Sequence, residues 1–304
     1  MKAHASSTSS VDLPELSLKQ WQPTCDTLHM WTQIVGKVRK TLGPAINHWW
    51  GVTFYVTSRG LTTSPIPHGY GTFEIRFDFI DHTLVIANSH GDVRELKLEP
   101  QSVAQFYRTV MAALQELGIE VQIHTVPDEF SNPIPFEKDD THASYDADAV
   151  NRFWRILVWS DTVFKEFRAR FIGKASPVQF FWGSFDLAVT RFSGRVAPPR
   201  PDADPITAEA YSHEVSSAGF WPGGGVVDGA AFYAYAAPEP HGFAEHKVEP
   251  EQAFYHPELH EFLLMYDDVR RAPSPKDSLL QFLQSTYEAA AILGSWDRKN
   301  LERW

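Results

Sequence analysis

The sequence predicts an α+β fold built from two similar helix/antiparallel-sheet/helix halves that pack as one pseudo-symmetric unit. Three observations point there. Helical hydrophobic spacing alternates with strand-like alternation in blocks separated by turn residues. Two helical segments, Ser102 to Gly118 and Ser278 to Gly294, align without a gap. They match at Ser102/Ser278, Gln105/Gln281, Phe106/Phe282, Ala113/Ala289, Leu117/Leu293 and Gly118/Gly294, where background composition supplies about one identity. Finally, Pro44 to Gly60 resembles Pro177 to Gly194, in the same order along the chain, so the sequence reads as an internal duplication.

The elements follow from local pattern. Residues 1–20 open with a run of serines and threonine that offers nothing to bury, and they are expected to form a flexible tail. The first half, 21–126, begins with a helix over Asp26 to Thr41. Strands are expected near Trp49 to Thr57, Thr72 to Phe79, Thr83 to Asn88 and Val93 to Leu98, turning at Asp81-His82 and Ser89 to Asp92. The helix at 102 ends at a capping glycine, and a strand is expected at Glu120 to Thr125. An acidic connector with three prolines, 127–148, marks the boundary between the halves. The second half, 149–304, reads as a long helix from Ala147 to Gly173, strands near Val178 to Thr190, Ser212 to Gly219, Ala231 to Ala236 and Glu261 to Tyr266, and the helix at 278.

With 304 residues, 43% of them hydrophobic and 13% aromatic, the chain has enough apolar surface for a large core, which excludes disorder and coiled coil. The net charge of −11 disfavours nucleic acid and anionic membranes as partners. The single cysteine, Cys25, cannot form an internal disulfide. The start lacks an apolar run of signal-peptide length and no stretch has the length of a membrane span, so a cytoplasmic location is expected. Charge is unevenly spread: residues 151–200 carry nine Lys/Arg against three acids, whereas 201–304 carry seven against seventeen.

That basic island supplies the candidate ligand anchors. Arg191 and Arg195 flank a strand end and Arg59 stands at the matching position of the first half. A guanidinium fork suits carboxylate or phosphate. A small anionic or aromatic molecule, held in a cleft between the halves by these arginines with Trp182 and Trp221 as walls, is therefore the leading expectation. An alternative is a hydrolase-like enzyme in which His213 exchanges protons with Asp186 or Glu214. Asp186 is notable because it sits inside an apolar, aromatic run, where a carboxylate must be paired or lie at a site. A structural or protein-interaction module is the third class.

Metal and nucleotide chemistry find little support. His256 and His260 are spaced as one helical turn, but Pro257 stands where a zincin needs its glutamate. Gly173-Lys174-Ala175-Ser176 lacks the earlier glycine of a phosphate loop, and His68-Gly69-Tyr70-Gly71 lacks the third glycine of a dinucleotide fingerprint. No metal or cofactor is expected from these spacings.

The strings TQIVGK (Thr32 to Lys37), RGLTTSPIP (Arg59 to Pro67), FFWGSFDLAVTRFSGR (Phe180 to Arg195) and SHEVSSAGFWPG (Ser212 to Gly223) resemble the bacterial family catalogued as domain of unknown function 5996. The resemblance covers nearly the whole chain after the Ser-rich start. It implies no assigned reaction, cofactor or partner. The family pattern frequently has His where this chain has Gly51 and Gln179, so an imidazole site at those positions is not implied here.

Overall fold

The computed structural model of the chain describes residues 13–130 and 132–303. The expected tail over 1–20 falls largely outside them. Its described part is corrected: Leu13 and Leu16 are buried in the core, and helix α1 (Leu18–Leu42) already begins at residue 18. Each half then carries an antiparallel sheet. In the first, β1 (Tyr55–Val56), β2 (Gly60–Thr62), β4 (Gly71–Asp78), β5 (Thr83–Asn88) and β6 (Val93–Lys97) lie in the order β1-β2-β4-β5-β6, with β3 (Ile66–His68) paired to β4. Helix α2 (Val103–Glu116) follows, its first turn capped by the Ser102 hydroxyl, which accepts from the Gln105 amide.

Helix α3 (Ala147–Ala169) opens the second half, capped by the Asp146 side chain. Strands β7 (Gln179–Phe181), β8 (Asp186–Val196), β9 (His213–Trp221), β10 (Ala231–Ala237), β11 (Phe254–His256) and β12 (Glu261–Met265) form a sheet in the order β11-β12-β10-β9-β8-β7, with the short helix α4 (Pro205–Ala210) before β9. Helices α5 (Tyr266–Arg271), α6 (Pro275–Leu293) and α7 (Arg298–Leu301) complete the α+β arrangement. No helix among the described residues is long and apolar enough to cross a membrane.

The expected strands at 72, 83, 93, 212, 231 and 261 are present, because alternation on a half-covered sheet leaves a period-2 signature. Four expectations change. Instead of a strand from Trp49, a 3-10 turn spans Asn47–Trp49 with His48 and Trp49 at φ 57° and 61°. It turns the buried His48 toward the second half, where its ring meets Phe192 at 4.7 Å. The run Val178 to Thr190 folds as the β7-β8 hairpin. Phe185, at φ 59°, donates its amide to Phe181 O (2.8 Å), and its ring packs edge-on against Phe180. Residues 120–125 form no strand. His256 and His260 lie on a strand and a turn rather than on one helical face, since Pro257 opens the β11-β12 turn and His256 pairs with Glu261.

Both halves keep the helix, sheet, helix plan, but the matched residues do not keep their roles. Ser102 caps α2 whereas Ser278 lies inside α6, and Trp50 precedes β1 whereas Trp182 follows β7. The duplication is thus not confirmed. The two sheets are joined where Phe54 and Phe180 exchange backbone hydrogen bonds of 2.8 Å. One apolar core runs through both halves, from Leu28, Trp31 and Phe106 to Phe153, Phe232 and Leu283. The connector closes on it: Phe136 is fully buried, and the Asp139 carbonyl accepts from the Ala104 amide.

Candidate functional site

The second sheet has two unlike faces. Leu187, Val189, Ala218, Phe220, Phe232 and Leu264 point to α3 and α6 and belong to the core. The cross-strand partners on the other face are small or polar: Ala188 opposite Gly219, Thr190 opposite Ser217, Ser217 opposite Tyr235 and Gly219 opposite Tyr233. Such a face leaves room above it. A cavity of about 640 Å³ lies there, with Asp186, Ala188, Thr190, Phe192, Val215, Ser217, Tyr233, Tyr235 and Glu261 as its floor.

The roof comes from the first half and the connector. Gln22, Cys25, Asp26 and His29 of α1 line it at i, i+3, i+4 and i+7, one helical face. The strained turn adds His48 and Trp50, the connector adds Glu129 and Phe130, and the end of β9 with the loop after it adds Trp221, Pro222, Gly223 and Gly225. Three lining residues, His48, Glu129 and Phe185, hold positive φ although none is glycine. Each such backbone costs about 1 kcal/mol or more and persists only where its surroundings hold it.

Among the described residues the ionisable acids of the lining are Asp26, Glu129, Asp186 and Glu261, and no Lys or Arg joins them. Asp186 is buried and accepts hydrogen bonds from the Ser184 hydroxyl (2.5 Å) and the Tyr233 hydroxyl. Burial raises its carboxyl, partly opposed by those two donors. Burial and then the Asp186 charge raise Glu129, and the same two causes push Glu261 up to about 7. Asp26 is raised by burial, partly opposed by the Gln22 amide at 2.6 Å.

Burial disfavours the charged form of both lining imidazoles. Burial pulls His29 down to about 4, and its Nε2 donates to Gly183 O at 2.8 Å. His48 is lowered first by burial and then by Lys174, whose ammonium donates to Nε2 at 2.6 Å, leaving Nδ1 to donate to Ala210 O at 3.1 Å. The hydroxyls pair locally, Thr190 with Ser217 at 2.8 Å and Tyr211 with Tyr235 at 2.9 Å. Burial, and then the Asp26 charge, push the Cys25 thiol well up, which disfavours the thiolate form.

The residues expected from sequence divide sharply. Asp186 and Trp221 line the cavity; the others do not. Arg191 lies beneath the sheet, donating to Phe167 O and caged by Phe167, Phe171 and Tyr287. It neighbours Thr190 on β8, and strand alternation sends the two side chains to opposite faces. Arg59 is held by Asp78 and Asp81. Arg195 is held by Glu214 at 2.7 Å and by the carbonyls just past the end of α6, Gly294 O and Ser295 O. The three arginines therefore form no common anion site. Trp182 is buried against Gly36 and donates to Val52 O at 2.7 Å, so it is core rather than wall.

The proton-transfer set also comes apart. His213 opens β9 opposite Val196, while Leu187 pairs with Phe220 near the other end of that strand. Eight residues at ~3.3 Å each place His213 roughly 26 Å along the ladder from Asp186. Glu214 is engaged by Arg195. The site residues missed from sequence are Glu129, Glu261, Tyr211, Tyr233 and Tyr235. Their available signals were the same-face spacing of the two β10 tyrosines and an acid opening the apolar strand β12.

Among the described residues, no group of three or more His, Cys, Asp or Glu side chains is arranged to hold a metal ion. No curated protein and no solved structure matches the chain. A family model does, over residues 13–303, and it takes in the strings that build this site: the β7-β8 hairpin with Asp186, and β9 with Ser217, Gly219 and Trp221. The chain belongs to that family, a family of unknown function (DUF5996).

Proposed function

We propose that the cavity binds a small organic cation, an amine or guanidinium group carried on an apolar or aromatic body. The observation that carries this reading is the lining: four carboxyl groups and, among the described residues, no lysine or arginine around a space of about 640 Å³. That volume is in the usual range for a small-molecule site. The rings of Trp50, Phe130, Tyr211, Tyr233 and Trp221 supply apolar walls and π faces that favour a cation. A cation would also offset the cost of holding buried carboxylates ionised. The anion expected from the basic island loses its support, because Arg59, Arg191 and Arg195 are each engaged elsewhere. A reducing cytoplasmic setting agrees with the lone, buried Cys25.

The test is thermal denaturation of the full chain at pH 8 with size-matched arylamines, alkylamines, carboxylates and phosphates. At a hundred times the dissociation constant an amine stabilises by about 2.7 kcal/mol, a shift of roughly 5 °C in a chain of this size. Carboxylates and phosphates are expected to leave the midpoint in place. Stabilisation by the anions with none from the amines would overturn the reading, and so would no response to any of them.

A further inference from the structure

The cavity has a neighbour at Glu261. A second recess of about 370 Å³ shares Tyr211, Tyr235, Leu259 and Glu261 with it and adds Arg200, Ala236, Ala237, Glu239 and His260. The hydrogen-bonded Tyr211–Tyr235 pair, 2.9 Å between oxygens, therefore stands as a wall common to both spaces. Arg200 is exposed and lays its guanidinium 4.2 Å over the Tyr211 ring. Among the described residues it forms no ion pair. The acid beside it in the recess, Glu239, is already occupied, accepting from the Tyr255 hydroxyl at 2.7 Å with His260 4.0 Å away. Stacking on Tyr211 holds the planar fork in place while leaving its donors free for a planar anion.

We propose that the two spaces take one zwitterionic ligand, its cationic end among Asp186, Glu129 and Glu261 and its carboxylate on Arg200, with the chain between them lying along Tyr211 and Tyr235. This rests on the cation-binding reading of the inner cavity. The outer recess adds selectivity: a dianion is repelled by the inner carboxyls, and a simple amine leaves Arg200 without its partner.

Calorimetric titration of the full chain with a series of straight-chain ω-aminocarboxylates and the alkylamines of matching length tests it. One length of aminocarboxylate is expected to bind about fivefold tighter than its amine, and Arg200→Gln to abolish that advantage while leaving amine binding and the thermal midpoint unchanged. Glu261→Gln should weaken both series. If the aminocarboxylates bind no tighter than the amines at any length, or if their advantage survives in Arg200→Gln, the zwitterion is overturned while the cation reading stands. If neither series binds the unaltered protein, both readings fall together.

Discussion

Burial beside Asp186 holds the Glu261 carboxyl at about 7, well above its ordinary 4.5. The folded state keeps this proton at pH values where the unfolded chain has lost it. The group therefore contributes stability below its unfolded pKa and loses it as pH rises through about 7. A bound cation prefers the ionised form and so works in the opposite direction. Amine affinity is expected to fall by up to about tenfold for each pH unit below 7 and to level off above it. Glu261→Gln should flatten that profile near neutrality as well as lowering affinity. Calorimetry on either side of pH 7 checks both; an affinity that rises on acidification would contradict the assignment. Glu261 was difficult to single out in sequence, since an acid opening an apolar strand is usually solvated. Asp186 was easier, because a carboxylate inside Phe180 to Val189 has to be explained. Arg191 was misleading for the opposite reason: only the stack of Phe167, Phe171 and Tyr287 beneath the sheet makes a buried guanidinium acceptable there.

Strands β8, β9 and β10 make a site because one face carries small residues under large ones. Gly219 is the tightest case. A Cβ there would lie 2.4 Å from the Tyr233 ring and hydroxyl and 2.5 Å from the Leu187 carbonyl oxygen, and that backbone atom cannot move cheaply. Gly219→Ala is expected to cost about 1–3 kcal/mol, to lower the thermal midpoint by several degrees, and to weaken amine binding by lifting Tyr233 away from Asp186. An unchanged melting curve and affinity would show that the face tolerates more bulk than this packing implies. The same logic joins α1 to the hairpin, since a Cβ on Gly36 would lie 2.3 Å from the Trp182 indole. Strand periodicity was legible along β4, β5, β9 and β10. The β7-β8 break was not, because an apolar run buried on both faces carries no period to interrupt. Phe185 gives no turn signal, since its left-handed backbone is held by packing against Phe153 and Phe180 rather than by residue preference.

Across the whole molecule, the Phe54–Phe180 bridge joins the two sheets and one apolar core runs beneath both. The first half's α1, from Leu28 to Val38, buries its apolar face in that shared core, so separating the halves would expose a large apolar area on each. Full-length protein is expected to unfold in one cooperative transition with equal calorimetric and van't Hoff enthalpies. Two resolved transitions, or stable folding of residues 149–304 alone, would mean that the halves are independent domains. Shared burial also explains why the cavity belongs to neither half: its floor is the second sheet, and its roof is α1, the 47–50 turn and Glu129.

Periodicity, turn residues and composition determined the α+β class, most strands, both helices of the proposed repeat, and the suspicion attached to Asp186 and Trp221. Those properties are local, since they depend on which face a residue occupies within its own element. The tertiary structure alone decided that Glu129 and Glu261 meet Asp186, that His213 lies at the far end of the ladder, and that the arginines of the basic island disperse. A site is a convergence of residues distant in sequence, and charge counted along the chain takes no account of which side of a sheet each side chain is on. The basic island visible in sequence borders a cavity whose own lining is acidic.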